Sequence, residues 1–291
     1  MNIGIVGLGL IGGSLALDLR QQHTIFGVSR RPDTCKQAIA RRIVNQASTD
    51  LSLMAKADVI FLCTPLGAIE ATVTQLLPHL APNAILTDVG SVKGAVVRAI
   101  APQWQNFVGG HPMAGTAESG LDAALSGLFV GRPYVLTPTD STPTTAVGTV
   151  AELARSLQSQ IYYCSPEAHD RAVAWISHLP VMVSASLIAA CLSESSPEVL
   201  NLAQSLASSG FRDTSRVGSG NPELGRMMAE FNRDEVVRSL HAYRHQLDQL
   251  ITQVEQSKWN SLQQRLTQTQ IARPSFLSDP QNLGKPSVKE A

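Results

Sequence analysis

The residues best able to do chemistry sit in GGHPMAGTAESG, Gly109 to Gly120, which carries one histidine, one acid and four glycines. An imidazole exchanges protons near neutral pH, so His111 is a candidate general base or acid. Glycine and proline interrupt regular structure, so the stretch reads as a flexible loop whose backbone can approach a ligand. Three further stretches carry polar chemistry. TDVGSVK holds Ser91 after a short apolar run, and AHDRAVAWISHLP holds His169, Asp170, Arg171 and His178. On a helix, Asp170 and His178 stand about two turns apart on one face. SGFRDTSRVGSGNPE holds Arg212, Asp213, Thr214 and Arg216 among small residues, a composition suited to a loop against a ligand. Guanidinium forks match carboxylates, so these features point to an acidic small molecule held between two domains.

The elements that must position these groups begin at the N-terminus. Asn2 to Val6 reads as a strand, followed by GLGLIG and a helical run. Gly7 permits a tight turn, Gly9 lets the backbone approach a pyrophosphate, and Gly12 lets helix and strand pack closely. Leu10 and Ile11 open the helix, whose free N–H groups face the phosphates. A second strand, Thr24 to Val28, ends at Ser29-Arg30-Arg31. An acid at the place of Ser29 would accept from a ribose 2′-hydroxyl, whereas serine and arginine suit a 2′-phosphate, so NADP is expected over NAD. Ala57 to Cys63 is a continuous apolar run, as in a central parallel strand. Thr64-Pro65 ends it, Ala84 to Asp88 is a further strand stopped by Val89-Gly90-Ser91, and Lys93 to Ile100 reads as a helix. Tyr134 to Thr137 and Ile161 to Cys164 complete the strands. Ligands of such sheets lie beyond the carboxyl ends of the strands. Cys63, Thr64, Pro65, Gly90, Ser91 and His111 are therefore expected around one crevice beside a nicotinamide.

From Pro166 onward, helical periodicity replaces strand alternation. Val236, Leu240, Tyr243, Leu247, Leu250 and Val254 recur at steps of three and four, a stripe suited to packing between helices or subunits. The expected fold class is α/β: a Rossmann-type doubly wound domain over residues 1–165, then an all-helical substrate and dimerisation domain over 166–272, and a Pro- and Ser-rich mobile tail over 273–291. Lys plus Arg and Asp plus Glu both number 23, so the zero net charge gives no drive toward nucleic acid or anionic membranes. Glycines break the apolar N-terminus, and no basic region precedes it, so a signal or membrane segment is not expected. The four cysteines lack metal-ligand or disulfide spacing, which fits a cytoplasmic enzyme without a metal.

Five motifs, GLGLIGGSLA, TDVGSVK, GGHPMAGTAESG, HDRAVAWISHLP and GFRDTSR, run in order over roughly residues 1 to 270 and resemble those of the prephenate and arogenate dehydrogenases of tyrosine biosynthesis. The resemblance implies an oxidative decarboxylation, in which a ring carbon gives hydride to the nicotinamide, carbon dioxide leaves and the ring becomes aromatic. It implies that His111 takes the hydroxyl proton, that Ser91 bridges hydroxyl and nicotinamide, and that Arg216 grips the ring carboxylate with Asp170 as its ionic support. Arg212, Asp213 and His178 are further candidates for substrate contact. Two departures from many prephenate-using relatives concern the substrate's second end. Val181 stands where they carry a second histidine, and Asn221-Pro222-Glu223-Leu224-Gly225 replaces a run with an aromatic residue. With the NADP-type Ser29-Arg30-Arg31, they favour arogenate over prephenate. The alternatives are a prephenate dehydrogenase, a reductase of the same two-domain plan using a lysine or aspartate, and an NADP-binding sensor without turnover.

Overall fold

The computed structural model describes residues 1–116 and 118–277. Eight strands form one sheet: β1 (Asn2–Val6), β2 (Thr24–Val28), β3 (Gln46–Ser48), β4 (Val59–Leu62), β5 (Ile85–Asp88), β6 (Phe107–Pro112), β7 (Pro133–Thr137) and β8 (Gln160–Tyr163). Their order across the sheet is β3-β2-β1-β4-β5-β6-β7-β8, parallel throughout except for the β6–β7 pair. The first six follow the dinucleotide-binding order, with the topological switch between β1 and β4. The expected doubly wound sheet is therefore present. β3 went unseen in the sequence because QAS has no apolar run, its pairing to β2 being mostly a matter of backbone.

Helices α1 (Leu10–Leu19), α2 (Pro32–Ala40), α3 (Ile69–Leu76), α4 (Gly94–Ile100) and α5 (Thr144–Ser156) alternate with the strands. Both faces of the sheet are covered. Val59 and Phe61 of β4 pack into one core with Leu15 and Val150, while Ile60 and Leu62 pack into another with Val73 and Val97. That is why β4 is apolar at every position rather than at alternate ones.

Beyond β8 the chain is helical: α6 (Pro166–Val173), a π-helical turn over Ala174–His178, α7 (Leu179–Leu192), α8 (Pro197–Leu206), α9 (Ser209–Ser215), α10 (Pro222–Phe231), α11 (Arg233–Glu255) and α12 (Trp259–Ala272). Ser165 and Asn221 cap α6 and α10 through their side chains, and proline follows each at the first helical position. The arginine-bearing stretch, read from sequence as a loop, is instead α9 followed by a 3₁₀ turn over Arg216–Ser219. Its small residues tolerate helix as well as loop, and Ser208 and Gly220 bound it.

Two compact units divide the described chain, Met1–Val236 and the part from Val237 onward. Within the second, Arg265 donates to Gln246 and Gln249, both at 2.7 Å, and so ties α12 to α11. Tyr243, Leu247 and Val254 of the periodic stripe are exposed in the single chain. The run Pro166–Leu192 is long and apolar enough by composition to cross a membrane, yet its first turns carry the buried polar residues His169, Asp170 and His178. Of the expected tail, Arg273–Phe276 forms a 3₁₀ turn, and residues 278–291 lie outside the described residues.

Candidate active site

Strand register builds the site's floor. Val28, Val6, Leu62 and Asp88 stand level across β2, β1, β4 and β5. The residues that follow, Ser29, Gly7, Cys63 and the Val89-Gly90-Ser91 turn, therefore share the carboxyl edge. Gly7 has φ +107°, and a Cβ there would meet the Cys63 carbonyl oxygen at 2.5 Å. A Cβ on Gly12 would meet the Gly7 carbonyl oxygen at 2.0 Å, so the turn and the helix close only around glycine. A Cβ on Gly9 would meet nothing within 4 Å. Gly9 is also the N-cap of α1 and supplies no side chain to the helix's first N–H groups, which leaves those of Leu10 and Ile11 to an outside acceptor. Thr64 adds a buried hydroxyl without a hydrogen-bond partner among the described residues. This open, uncapped turn with a buried donor beside it fits a dinucleotide pyrophosphate.

Ser29 is half-buried, and Arg30 and Arg31 are exposed at the start of α2. The Ser29 Oγ accepts from the Arg31 N–H at 3.3 Å. Pro65 is exposed beside the half-buried Cys63, whose thiol burial and the Asp88 carboxylate push up, so it stays protonated. Ser91 is half-buried in the turn after β5.

His111 is not in a flexible loop. Val108 pairs with Thr87 of β5, and β6 then runs on past the end of β5, so His111 lies about two residues, ~7 Å, beyond the sheet edge. Antiparallel pairing with β7 supports this overhang, His111 opposite Val135. The glycines before it serve close packing: a Cβ on Gly109 would meet the Thr137 Oγ1 at 2.4 Å, and one on Gly110 the Asp88 carbonyl oxygen at 2.7 Å. A buried ion pair fixes the same strand. Lys93 and Asp88, both fully buried, bond to each other; Lys93 Nζ also donates to the Gly110 carbonyl at 2.6 Å, and Asp88 Oδ1 accepts from the Gly110 N–H at 3.1 Å. Asp88 Oδ2 further accepts from the Gly90 N–H at 2.8 Å, which ties the Ser91 turn to the same pair.

The imidazole of His111 meets a partner that sequence reasoning did not assign. Its Nδ1 lies 2.8 Å from His169 Nε2, and His169 Nδ1 lies 2.8 Å from Asp170 Oδ1. Asp170 is held by the backbone N–H groups of Lys93 at 2.7 Å and Gly94 at 2.8 Å. Asp170 is therefore not the ionic support of Arg216: its carboxylate is committed to the adjacent His169 and to the start of α4, which it reaches because α6 packs beside α4. The bonding order sets the tautomers. A carboxylate accepts, so His169 Nδ1 carries its proton and Nε2 accepts from His111 Nδ1–H, which leaves His111 Nε2 with a free lone pair. This is the logic by which a carboxylate orients a base, extended by one ring.

Asn232 secures the neighbouring histidine. Its Nδ2 donates to the Asp170 carbonyl at 2.8 Å and approaches His178 Nδ1 at 3.2 Å. His178 Nδ1 thus accepts, and its Nε2–H, buried and without a hydrogen-bond partner among the described residues, is a neutral donor. Burial, the first cause, pushes His178 down to about 4 against the pull of Asp170. Burial likewise holds His111 well below the usual imidazole range, reinforced by His169, Lys93 and His178. Both are thus neutral at pH 7. In the unfolded chain they protonate near 6.5, so stability is level above that pH and falls below it, by up to about 1.4 kcal/mol per pH unit per histidine until each folded pKa is passed. Thermal melting between pH 8 and pH 4 checks this; a melting temperature that stays level down to pH 4 would contradict it.

Arg212, Asp213 and Arg216 do not join this network. Arg212 pairs with Asp213 at 3.2 Å on the surface, and Arg216 is exposed without an ion pair among the described residues. The two departures noted in the sequence do come together: a Cβ on Gly225 would touch the Val181 Cγ1 at 3.8 Å.

Comparison with known proteins agrees with this architecture. Residues 15–163 match the family model for the prephenate dehydrogenase nucleotide-binding domain, and residues 165–268 match that for the prephenate dehydrogenase dimerization domain. A crystal structure of Synechocystis arogenate dehydrogenase superposes with a TM-score of 0.87 at 53% identity, covering 95% of this chain and 100% of that one. Prephenate dehydrogenase from A. aeolicus, in complex with hydroxyphenyl propionate and NAD+, superposes at 0.90 with 29% identity, covering 95% and 98%. Bacillus subtilis prephenate dehydrogenase is 33% identical over 269 residues, 89% of this chain and 71% of its own length. The chain belongs to the prephenate and arogenate dehydrogenase family of oxidoreductases.

Proposed function

We propose that the protein is an NADP-dependent arogenate dehydrogenase, converting L-arogenate to L-tyrosine with loss of carbon dioxide. The observation that carries the reading is the His111–His169–Asp170 chain, which leaves a neutral imidazole with a free Nε2 lone pair just past the carboxyl edge of a dinucleotide-binding sheet. The turn around Gly7, Gly9 and Gly12 holds the pyrophosphate, and Ser29, Arg30 and Arg31 take the 2′-phosphate. Cys63, Thr64, Pro65 and Gly90 border the nicotinamide. A bound nicotinamide supplies the hydride acceptor.

His111 Nε2 takes the proton from the substrate hydroxyl as its C–O bond gains double-bond character. The positive charge formed on His111 is shared along His169 toward Asp170, whose two oxygens are fixed by backbone N–H groups and need no rearrangement. Ser91 orients the hydroxyl, and the His178 N–H offers one further donor. Arg216 grips the ring carboxylate with its free guanidinium. Val181, packed beside Gly225, stands where many prephenate-using relatives carry a second histidine, and a valine there suits the net-neutral alanyl zwitterion of arogenate better than the net-negative pyruvyl group. The similarity to Synechocystis arogenate dehydrogenase supports the same choice.

Pairing of two copies through the helical part accompanies this reading. Leu192, Val199, Leu202 and Leu206 lie exposed on α7 and α8, a face that costs free energy in water and fits the matched dimerization domain.

Steady-state kinetics with arogenate and prephenate, each with NADP and NAD, test substrate and cofactor together. The expected result is a kcat/KM at least about tenfold higher for arogenate, about 1.4 kcal/mol of transition-state binding, and a preference for NADP. A preference for prephenate would overturn the substrate assignment, and a preference for NAD the role of Ser29-Arg30-Arg31.

A further inference from the structure

Arg216 has a guanidinium without an ion pair among the described residues, on a backbone held from both sides. Ser184, on α7, is 2% exposed. Its hydroxyl donates to the Thr214 carbonyl at 2.9 Å and accepts from the Gly218 N–H at 2.9 Å. These two bonds bracket Arg216, one two residues before it and one two residues after. The contact is close as well as polar. A Cβ on Gly218 would meet the Ala185 backbone nitrogen at 2.4 Å and the Ser184 carbonyl carbon at 2.5 Å, so only glycine lets the turn lie against α7.

The serine is out of keeping with its surroundings. α7 reads LPVMVSASLIAACL, and a buried hydroxyl in such a helix costs free energy unless it is bonded. Here the bond it donates and the bond it accepts both go to the arginine segment rather than to its own helix. Ser184 also lies six residues beyond His178, about 9 Å along the helix axis. One rigid helix thus sets the distance between a buried histidine of the His111 cluster and the anchor of the arginine.

We infer that Ser184, with Gly218 packed against it, is a positioning residue that fixes where Arg216 presents its guanidinium. The inference rests on the reading of Arg216 as the grip on the substrate's ring carboxylate. A planar, two-pronged contact is sensitive to the direction of approach, so a guanidinium on an unpinned segment binds a carboxylate less well than one held in place.

The test is a double-mutant cycle on the full-length protein, read as KM for arogenate, kcat, and the NADPH dissociation constant by fluorescence. Arg216→Gln is expected to raise KM by about thirtyfold or more. Ser184→Ala is expected to raise it by about tenfold, with kcat changed less than about threefold and NADPH binding unchanged. Adding Ser184→Ala to Arg216→Gln is expected to raise KM no further, because there is no longer a guanidinium to position. Should Ser184→Ala lose NADPH binding through misfolding, Ser184→Cys serves instead: its thiol is somewhat larger than the hydroxyl and makes both hydrogen bonds only weakly, with a KM between those of wild type and Arg216→Gln expected. A wild-type KM in the Ser184 variant, or an effect that adds in full to Arg216→Gln, overturns the positioning role and leaves the Arg216 reading standing. An unchanged KM in Arg216→Gln overturns the carboxylate grip, and the purpose of the lock falls with it.

Discussion

His111→Asn is expected to lower kcat by about 10²–10⁴-fold while NADPH binds with its wild-type dissociation constant. Asparagine can still donate from its amide to His169 Nε2, so the buried polar chain keeps a partner at that end. What disappears is a nitrogen able to accept the hydroxyl proton. The turn proposed to hold the dinucleotide comes from β1 and α1, separate in the chain from β6, so cofactor affinity has no reason to change. Single-turnover rates together with NADPH fluorescence separate the two effects. A loss of cofactor affinity in this variant would show that His111 supports the architecture of the sheet edge rather than the chemistry.

Lys93→Met is expected to be the most damaging single change to stability, at about 3–5 kcal/mol, because it strands the Asp88 carboxylate in a fully buried place. Against a total stability of about 5–15 kcal/mol that is a large share, and a fall in melting temperature of order 10 °C follows. Burial pushes the Lys93 ammonium down and Asp88 opposes this, so each charge depends on the other for its place inside the protein. The Gly110 carbonyl also loses its donor, which loosens the overhang that carries His111. Lys93→Met combined with Asp88→Asn removes both charges and keeps an acceptor for one of the two backbone N–H groups that Asp88 holds, and should recover part of the loss. Calorimetry of the single and double variants decides the matter: an equal or greater loss in the double variant would mean that the charge pair is not what holds this strand.

The part of this architecture that could be read in the sequence is the part encoded locally. A strand, three spaced glycines and a helix follow one another within twenty residues, and ADVIFLC announces a buried strand by its continuous apolar character. What stayed hidden depends on contacts between distant segments. His169 stands 58 residues from His111, and nothing in AHDRAVAW distinguishes a ring that meets another ring from an exposed one. Asp170 was visible as a member of the polar cluster His169-Asp170-Arg171, but its further partners are backbone N–H groups at Lys93 and Gly94, which carry no side-chain signature. Lys93 follows a Gly-Ser turn and reads as an ordinary helix-start lysine; its burial comes from β6 lying over it. The GGHP segment looked like a loop because glycine and proline weaken strands, yet here the glycines are what let β5, β6 and β7 approach. Asn232 likewise gave no signal, standing at the end of α10 with partners 62 and 54 residues away.

The central claim is that this site couples oxidation of the substrate to loss of its ring carboxylate. The most direct measurement is the stoichiometry of one reaction: purified protein, L-arogenate and excess NADP, with NADPH followed by absorbance, carbon dioxide trapped and tyrosine quantified. The account predicts equal amounts of all three products, with none formed by His111→Asn on the same timescale. NADPH without carbon dioxide would contradict the decarboxylating reaction, and binding of arogenate and NADP without any product would mark the protein as a sensor rather than a dehydrogenase.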